Sequence, residues 1–223
     1  MPTSSQPAIG EVLEMYGQYP DDDIINISMA DGLSGTYNSA VSAAELCENA
    51  DRITVLNTRT LCGPHRYMVE KALEMAKNGM SVKEILEELN GKIEAAKSFL
   101  IPDDFDYLRR GGRLSPMVSY VGKAVKLAPI MTQTDDGCRL SVAAIRRGFS
   151  QAINFVAESL VKRGVGEGWR VYISHANAMK KAEQMYQVLS DALPGAIIEI
   201  YPLSPAFITQ GGPGCVAVQV VPV

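Results

Sequence analysis

Short β-rich runs alternate with helical patterns along this chain, and this alternation is the strongest constraint on its fold. Residues 23–28 and 52–57 are β-rich runs that end in turn-forming residues. Residues 39–49 between them have the pattern of a helix. Because two strands joined by a helix normally lie side by side and parallel, the first part of the chain is predicted to contain a parallel sheet.

Helix boundaries can be predicted at several points in this first part. A helix that contains Met68 and Met75 is predicted to end at residues 78–79, an Asn-Gly pair typical of helix C-termini. The next helix is predicted to begin at Ser81, because Glu84 three residues later completes a capping box. An earlier helix is predicted from apolar residues at helical spacing: Ile9, Val12, Leu13 and Tyr16.

The spacing of predicted strands changes near Lys97. Residues 129–134 and 138–145 flank an Asp-Asp-Gly turn, which predicts a β-hairpin. Helices and further strands alternate after it, the strands at residues 169–174, 196–203 and 215–221. We therefore predict an α/β fold of two domains, 1–97 and 98–223. The first has a parallel sheet, and the second has a mixed sheet of five or six strands.

The net charge and the placement of the cysteines limit which ligands and which cellular compartment this protein is expected to have. The formal net charge of −4 gives no general attraction to nucleic acid or to anionic membranes. No apolar run is long enough to cross a bilayer, so a lipid-related role would mean burying a single lipid molecule. The four cysteines are scattered without a C-x-x-C pair, as is typical of a reducing compartment, and we expect a cytoplasmic protein.

Several metal-binding and catalytic patterns are absent from the sequence. The two histidines, His65 and His175, are too few for a three-histidine zinc site, and no H-E-x-x-H pattern occurs. A phosphate-binding G-x-x-x-x-G-K-[ST] loop and a G-x-S-x-G nucleophile elbow are also missing. We expect neither a metal ion nor a cofactor, and we interpret His175 as a structural or capping residue.

Three segments rich in glycine or small hydroxyl residues lie next to predicted strands or helices: 3–7, 32–37 and 211–214. Hydroxyl groups and free N–H groups at a helix N-terminus can bind a carboxylate or a phosphate. Each segment also fits a structural interpretation, as a helix cap in the first two and a tight turn in the third. Their joint occurrence favours a binding site, because a parallel sheet gathers its strand-end loops at one edge.

A fourth segment carries Arg109, Arg110 and Arg113, interrupted by two glycines. It has the pattern of an anion-facing loop, and a solvated basic turn is the alternative. Lys123 and residues 146–147 could extend this basic patch.

Taken together and in order, these segments resemble the DegV family. Residues 4–7 resemble its TSQP-type segment, and residues 27–40 (ISMADGLSGTYNSA) resemble its LSGTY motif. Residues 106–115 (DYLRRGGRLS) resemble its YL-x-x-GGR-[IL]-S segment. Residues 126–130 with the Asp136-Gly137 turn, and residues 208–216, resemble the hairpin and the H-x-GPG loop that follow.

The resemblance implies a two-domain α/β protein that binds a long-chain fatty acid. The carboxylate would lie at the inter-domain cleft and the acyl chain inside the second domain. Proteins similar to this one pass the bound acid to an ATP-dependent Dak-type kinase of the bacterial fatty acid kinase system. The resemblance therefore implies a carrier that presents a substrate, not an enzyme.

Two departures from the family pattern affect these expectations. The family's first strand, with its Asp-Ser sequence, has no counterpart here, so we expect a partial first domain that lacks the first β-α unit. Gln210 aligns with the family's C-terminal histidine. A glutamine amide can donate hydrogen bonds but carries no positive charge, so Arg113 is the candidate for the charged contact.

The expected site follows from the resemblance and from hydrogen-bonding chemistry. Ser5, Ser34 and Gln210 are expected to receive the carboxylate, and Arg109 and Arg110 to face the kinase. An apolar stripe at helical spacing is expected either to line the acyl tunnel or to pack in the core: Met117, Val118, Val121 and Val125. The full set of expected ligand-binding residues is Ser4, Ser5, Ser34, Gly35, Thr36, Gln210, Gly211 and Arg113.

Two rival functions stay open at this point. The hydroxyl-rich turns and the arginine segment would also suit a phosphotransfer enzyme that binds a phosphorylated metabolite. A scaffold that has lost ligand binding would fit Gln210 and the missing first strand.

Overall fold

The computed structural model describes residues 3–116 and 127–223. They divide into two compact units, one comprising Ser4–Glu94 and the other including Ala95–Val223. The predicted α/β class is confirmed, with a small parallel sheet in the first unit and a larger mixed sheet in the second.

The first unit contains the predicted parallel pair of strands. Its elements in chain order are α1 (Ile9–Gly17), β1 (Ile24–Ser28), α2 (Thr36–Glu45), β2 (Ile53–Asn57), α3 (Cys62–Lys77) and α4 (Val82–Ala95). Strands β1 and β2 pair in parallel, with Ile24 opposite Ile53 and Ser28 opposite Asn57. Both strands therefore end at the same edge, where the loops that follow them meet.

Helix ends in this unit largely follow the predicted signals. Gly79 adopts a φ of +80° just after α3, a conformation that glycine adopts at low cost. The Ser81 hydroxyl accepts from the Glu84 N–H, and the Glu84 carboxylate accepts from the Ser81 N–H, so the capping box is confirmed. Helix α2 begins at Thr36 rather than at residue 39, because Ser34 accepts a hydrogen bond from the Thr36 N–H.

The second unit contains a six-stranded sheet in its described part. Its strands are β3 (Lys97–Ile101), β4 (Leu127–Gln133), β5 (Leu140–Arg147), β6 (Trp169–His175), β7 (Ile197–Pro202) and β8 (Val216–Pro222). Their spatial order is β5-β4-β3-β8-β6-β7. The pair β6–β7 is parallel and the other neighbours are antiparallel, which confirms the predicted mixed sheet.

Two long helices, α6 (Gly148–Lys162) and α7 (Met179–Ala192), contribute to the core of this unit. Alternate residues of the central strands, such as Ile173 of β6 and Val218 of β8, are in the same buried cluster as Met185 of α7. This alternation is expected of a strand with one face against helices. Burial of these side chains fixes which face of each strand the helices cover.

Two short helices, α5 (Phe105–Gly111) and α8 (Pro205–Gly211), complete the unit. The end of β3 lies beside the start of β8, since Ile101 pairs with Val216. His175 at the end of β6 also pairs with Val216 and lies beside the end of β7. The segments before α5 and around α8 therefore meet at one edge of the sheet.

Candidate functional site

Gln6 links the hydroxyl-rich segment 3–7 to the start of α2 in the first unit. Its amide nitrogen donates to the Ser39 hydroxyl over 2.9 Å. Its amide oxygen lies against Gly35, where any Cβ would overlap it. Glycine at this position therefore lets a side-chain amide reach the N-terminus of α2. Gln6 was not among the expected site residues, although it lies in the 4–7 segment that resembles the TSQP-type motif.

The predicted site residues around this helix start are partly used in capping. The hydroxyls of Ser34 and Thr36 are 2.8 Å apart, and the Thr36 N–H donates to Ser34 Oγ over 3.2 Å. Both side chains are half-buried at the positive end of a helix of 10 residues. Ser4 and Ser5, earlier in the chain, are exposed. The arrangement provides the capping expected as one interpretation and places two hydroxyls together at a helix N-terminus.

Buried hydroxyl groups lie where β1 and β2 end. Ser28 is 2% exposed and donates to the Asn26 side-chain oxygen over 2.7 Å. The Thr58 hydroxyl donates to the Ser28 carbonyl over 2.9 Å. The hydroxyl of Thr60 is buried without a hydrogen-bond partner in the part of the chain that the structure describes. None of these residues was among the expected site residues. Their burial depends on backbone hydrogen bonds between the segments after β1 and β2, such as the one from the Ala30 N–H to the Thr60 carbonyl.

In the second unit, the Gly-Gly-Pro-Gly turn is closely packed against the segment around α5. Gly111 lies against the Gln210 side chain, because a Cβ at Gly111 would overlap the amide oxygen of Gln210. A Cβ at Gly212 would lie 2.8 Å from the Tyr107 ring. The structure therefore brings together two motifs that lie about a hundred residues apart in sequence, and Gln210 is half-buried between them.

The expectation that the arginine segment forms an anion-facing loop is wrong for its first two arginines. Arg109 and Arg110 lie in the last turn of α5 and not in a loop, and Gly112 ends the helix with a φ of 71°. Arg109 forms a 3.1 Å ion pair with Asp106. Arg110 lies 5.1 Å from the centroid of the Tyr107 ring. Positive charge in a last helical turn is favourable, since the carbonyl end of a helix is negative.

Two further guanidinium groups bind backbone carbonyls at the end of α5. Arg113 donates to the Gly111 carbonyl over 2.5 Å, and Arg139 donates to the Gly112 carbonyl over 2.8 Å. At least part of the hydrogen-bonding capacity of Arg113 is therefore directed at its own backbone. Lys123 and the apolar stripe of Met117, Val118, Val121 and Val125 lie outside the described residues.

The end of β6 supplies a buried histidine. His175 is 7% exposed, and its Nδ1 accepts from the Ala178 N–H over 3.1 Å, so His175 caps the start of α7 as the structural interpretation predicts. Its Nε2 is buried with no hydrogen-bond partner in the described residues. Across residues 3–116 and 127–223, no three His, Cys, Asp or Glu side chains are grouped to hold a metal ion.

Comparison with known proteins decides the family. The model of the family described as "Uncharacterised protein, DegV family" matches residues 1–223. This chain belongs to the DegV family. The DegV protein of Bacillus subtilis strain 168 is 30% identical over 200 residues, which cover 87% of this chain and 69% of that protein. A DegV domain-containing protein of Staphylococcus aureus strain N315 is 29% identical over 221 residues, covering 98% and 78%.

Solved structures of DegV proteins share the fold. The structure described as DegV, a fatty acid binding protein from Bacillus subtilis, superposes with a TM-score of 0.84 at 27% identity. The match covers 100% of this chain and 79% of that one. A DegV lipid binding protein from Thermotoga maritima gives a TM-score of 0.86 at 26% identity, covering 100% and 78%.

Within this DegV family protein, a groove of about 330 Å³ lies on the second unit, lined mainly by α6 residues and Ala192. Ala192 is the last residue of α7, whereas Lys181 beside the glycine-rich turn is near its start. Eleven residues at 1.5 Å each put the groove roughly 16 Å along the helix from that turn. The groove is therefore remote from Gln210. None of the described helices has the length and apolarity needed to cross a membrane.

Proposed function

We propose that this DegV family protein binds one long-chain fatty acid and holds its carboxylate mainly with neutral hydrogen-bond donors, with Arg113 as the one charged contact. The observation that carries the proposal is the family match over residues 1–223, together with relatives of known structure described as fatty acid binding. These two relatives are 26% and 27% identical to this chain, and each match covers all of it. The hydroxyl pair at α2 and the Gln210 amide provide donors of the type that such a ligand needs.

The proposed head-group donors lie in segments of both units, as the family resemblance implies. Ser34 and Thr36 lie at the positive end of α2, where a carboxylate is favoured. Gln210 adds an amide donor, and each hydrogen bond to a charged group contributes roughly 1.5–3 kcal/mol. Further proposed contacts are Ser4, Ser5, Gly35, Gly211 and Arg113.

The proposed affinity comes mainly from the acyl chain. Each buried CH₂ contributes about 0.8 kcal/mol, so a C16 chain can contribute on the order of 10 kcal/mol before ordering costs. We propose that the chain enters the second domain. The groove beside Ala192 is a poor alternative, because it lies far from Gln210.

A kinase partner and the absence of intrinsic catalysis are also proposed. In this proposal the protein works in the bacterial cytoplasm and presents the carboxylate to an ATP-dependent Dak-type kinase, which phosphorylates it. Arg109 and Arg110 would face that partner. Two observations support these roles: Arg109 remains 61% exposed despite its ion pair, and Arg110 is held over Tyr107.

Native mass spectrometry of protein purified from bacteria tests the proposal directly. A co-purifying mass equal to a fatty acid is expected. A nucleotide or sugar phosphate would instead support the phosphotransfer enzyme. An empty protein that takes up no added fatty acid would support the scaffold.

A titration with hexadecanoic acid tests the head-group site. Ser34→Ala should weaken binding about tenfold or more, because the lost hydrogen bond to a charged group contributes roughly 1.5–3 kcal/mol. Ser150→Ala, a change at an exposed serine of α6, is the matched control and should leave the affinity unchanged. Equal affinities of wild type and Ser34→Ala would refute the role of Ser34.

A further inference from the structure

Lys181 connects three separate parts of the second unit. Its Nζ donates to the carboxylate of Asp103, just after β3, and to the carbonyl of Gly214 over 3.2 Å. Lys181 itself lies near the start of α7, and its Nζ is 5.4 Å from the centroid of the Phe149 ring. One ammonium group thus joins the end of β3 and the glycine-rich turn to α7.

Asp103 also contacts the turn directly. A Cβ at Gly214 would overlap the Asp103 carboxylate, so glycine is needed for this close approach. The Gly214 N–H donates to the Ala176 carbonyl over 2.7 Å, and the Ala176 N–H donates to the Cys215 carbonyl over 3.0 Å. Residues 214–215 are therefore held by the side chains of Lys181 and Asp103 and, through backbone hydrogen bonds, by Ala176 just after β6.

The ion pair is a weak source of stability. The side chains of Lys181 and Asp103 are 31% and 57% exposed, and exposed ion pairs of this kind contribute little to stability. Its main physical effect is geometric, because three of the four residues 211–214 are glycines, which have no side chain to restrict the backbone. A turn rich in glycine has many accessible conformations, and the contacts of Lys181 select one of them.

The position of this turn determines where the Gln210 amide lies. Gln210 and Gly211 end helix α8, and the chain then turns at Gly212, which packs on Tyr107. The space that receives the Gln210 amide exists because Gly111 lacks a side chain. A small movement of residues 212–214 would shift the end of α8 and take the amide out of that space.

We propose that Lys181 and Asp103 are positioning residues that hold the 211–215 turn so that Gln210 can bind the head group of a fatty acid. The inference rests on the proposed function. The two residues act through the turn and do not touch the ligand. Their loss should therefore affect recognition of the carboxylate and leave burial of the hydrocarbon chain intact.

The test compares two ligands that differ only in the head group, hexadecanoic acid and hexadecan-1-ol, on the full chain. Lys181→Met keeps the stem over Phe149 and removes the donors. It should weaken binding of the acid about fivefold or more and that of the alcohol less than about twofold. Lys180→Met, at the exposed neighbouring lysine, should change neither affinity. Lys181→Arg should keep most of the preference for the acid over the alcohol, because a guanidinium group can donate to both the Asp103 carboxylate and the Gly214 carbonyl.

Asp103→Asn provides a second variant if Lys181→Met folds poorly, and it should show the same selective loss. The inference is overturned if both ligands weaken equally in a folded variant, or if the acid affinity does not change. If the wild type binds the alcohol and the acid equally well, the head-group role of Gln210 fails and this inference falls with it. If the wild type binds neither ligand, the proposed function itself fails.

Discussion

The side-chain amide of Gln210 occupies the space that a methyl group at Gly111 would need. This relationship joins the arginine-containing helix α5 to the glycine-rich turn after α8. In each of the two glycine-rich motifs, a glycine provides room for a side chain of the other segment. Tyr107 against Gly212 is the reciprocal contact.

Gly111→Ala should impair ligand binding more than stability. Alanine favours helix by up to about 1 kcal/mol over glycine, and the atom it displaces is the far end of a flexible side chain. The free energy of unfolding should therefore change by less than about 1 kcal/mol, while affinity for hexadecanoic acid falls. Urea unfolding and calorimetric titration measure the two effects. Gly91→Ala in α4, where a Cβ meets nothing within 4 Å, is the control and should leave affinity unchanged.

Gly212→Ala should destabilise the protein strongly. Gly212 has φ 79° and ψ 160°, a region essentially restricted to glycine, and the backbone cost alone is about 1–3 kcal/mol. The new Cβ would also press on the Tyr107 ring. Gly112→Ala, at a left-handed φ of 71° with open space around its Cβ, has a smaller backbone cost and no ring contact, and should be milder. Equal midpoints of urea unfolding for the two variants would contradict a special cost at Gly212.

The capping box of α4 should make stability dependent on acid pH. Hydrogen bonds from the Ser81 hydroxyl and backbone N–H lower the pKa of Glu84 below its ordinary value of 4.5. The stabilisation by ionised Glu84 is therefore fully present above the pKa of the unfolded chain and is lost as pH falls through the lowered pKa. Glu84→Gln keeps the cap and removes the charge. The unfolding midpoints of wild type and variant should converge as pH falls from ~6 to ~3. A difference in midpoint that stays constant over this range would contradict the role of the Glu84 charge.

Cys215 should be the least reactive thiol in the folded protein. Burial raises the pKa of Cys215 to about 11, so its thiolate is scarce at neutral pH. Cys47, Cys62 and Cys138 are only half-buried. Brief iodoacetamide treatment at about pH 8 followed by peptide mass spectrometry should leave residue 215 unmodified. Denaturant should expose all four thiols, and rapid native labelling of Cys215 would contradict its burial.

The same shift predicts a loss of stability in alkali. A thiol with a raised pKa in the folded state favours folding below the pKa of the unfolded chain, near the ordinary value of 9.0. This contribution to the stability of the fold is lost as pH rises toward the pKa of Cys215 in the folded protein, which is about 11. Cys215→Ser should show a shallower decline in unfolding midpoint between pH 9 and about pH 11 than the wild type.

Local signals in the sequence were sufficient for most helices and strands. The Ser81–Glu84 box, the Asp-Asp-Gly hairpin turn and the parallel pair β1–β2 follow from interactions between neighbours in the chain or from the usual geometry of a β-α-β unit. The short helices α5 and α8 were missed. Seven residues with glycines at their ends provide too little periodicity for detection, and packing against each other stabilises them.

The family resemblance came from the sequence, because the order of LSGTY, GGR and GPG survives at low overall identity. The contacts of the candidate site came only from the tertiary structure. Gln6 over Gly35, Gln210 over Gly111 and Lys181 on Gly214 join residues 29 to 99 positions apart. Local propensity and spacing specify how each segment folds, whereas long-range packing decides which segments meet. A glycine that accommodates a distant side chain has the same local signal as one that simply turns the chain.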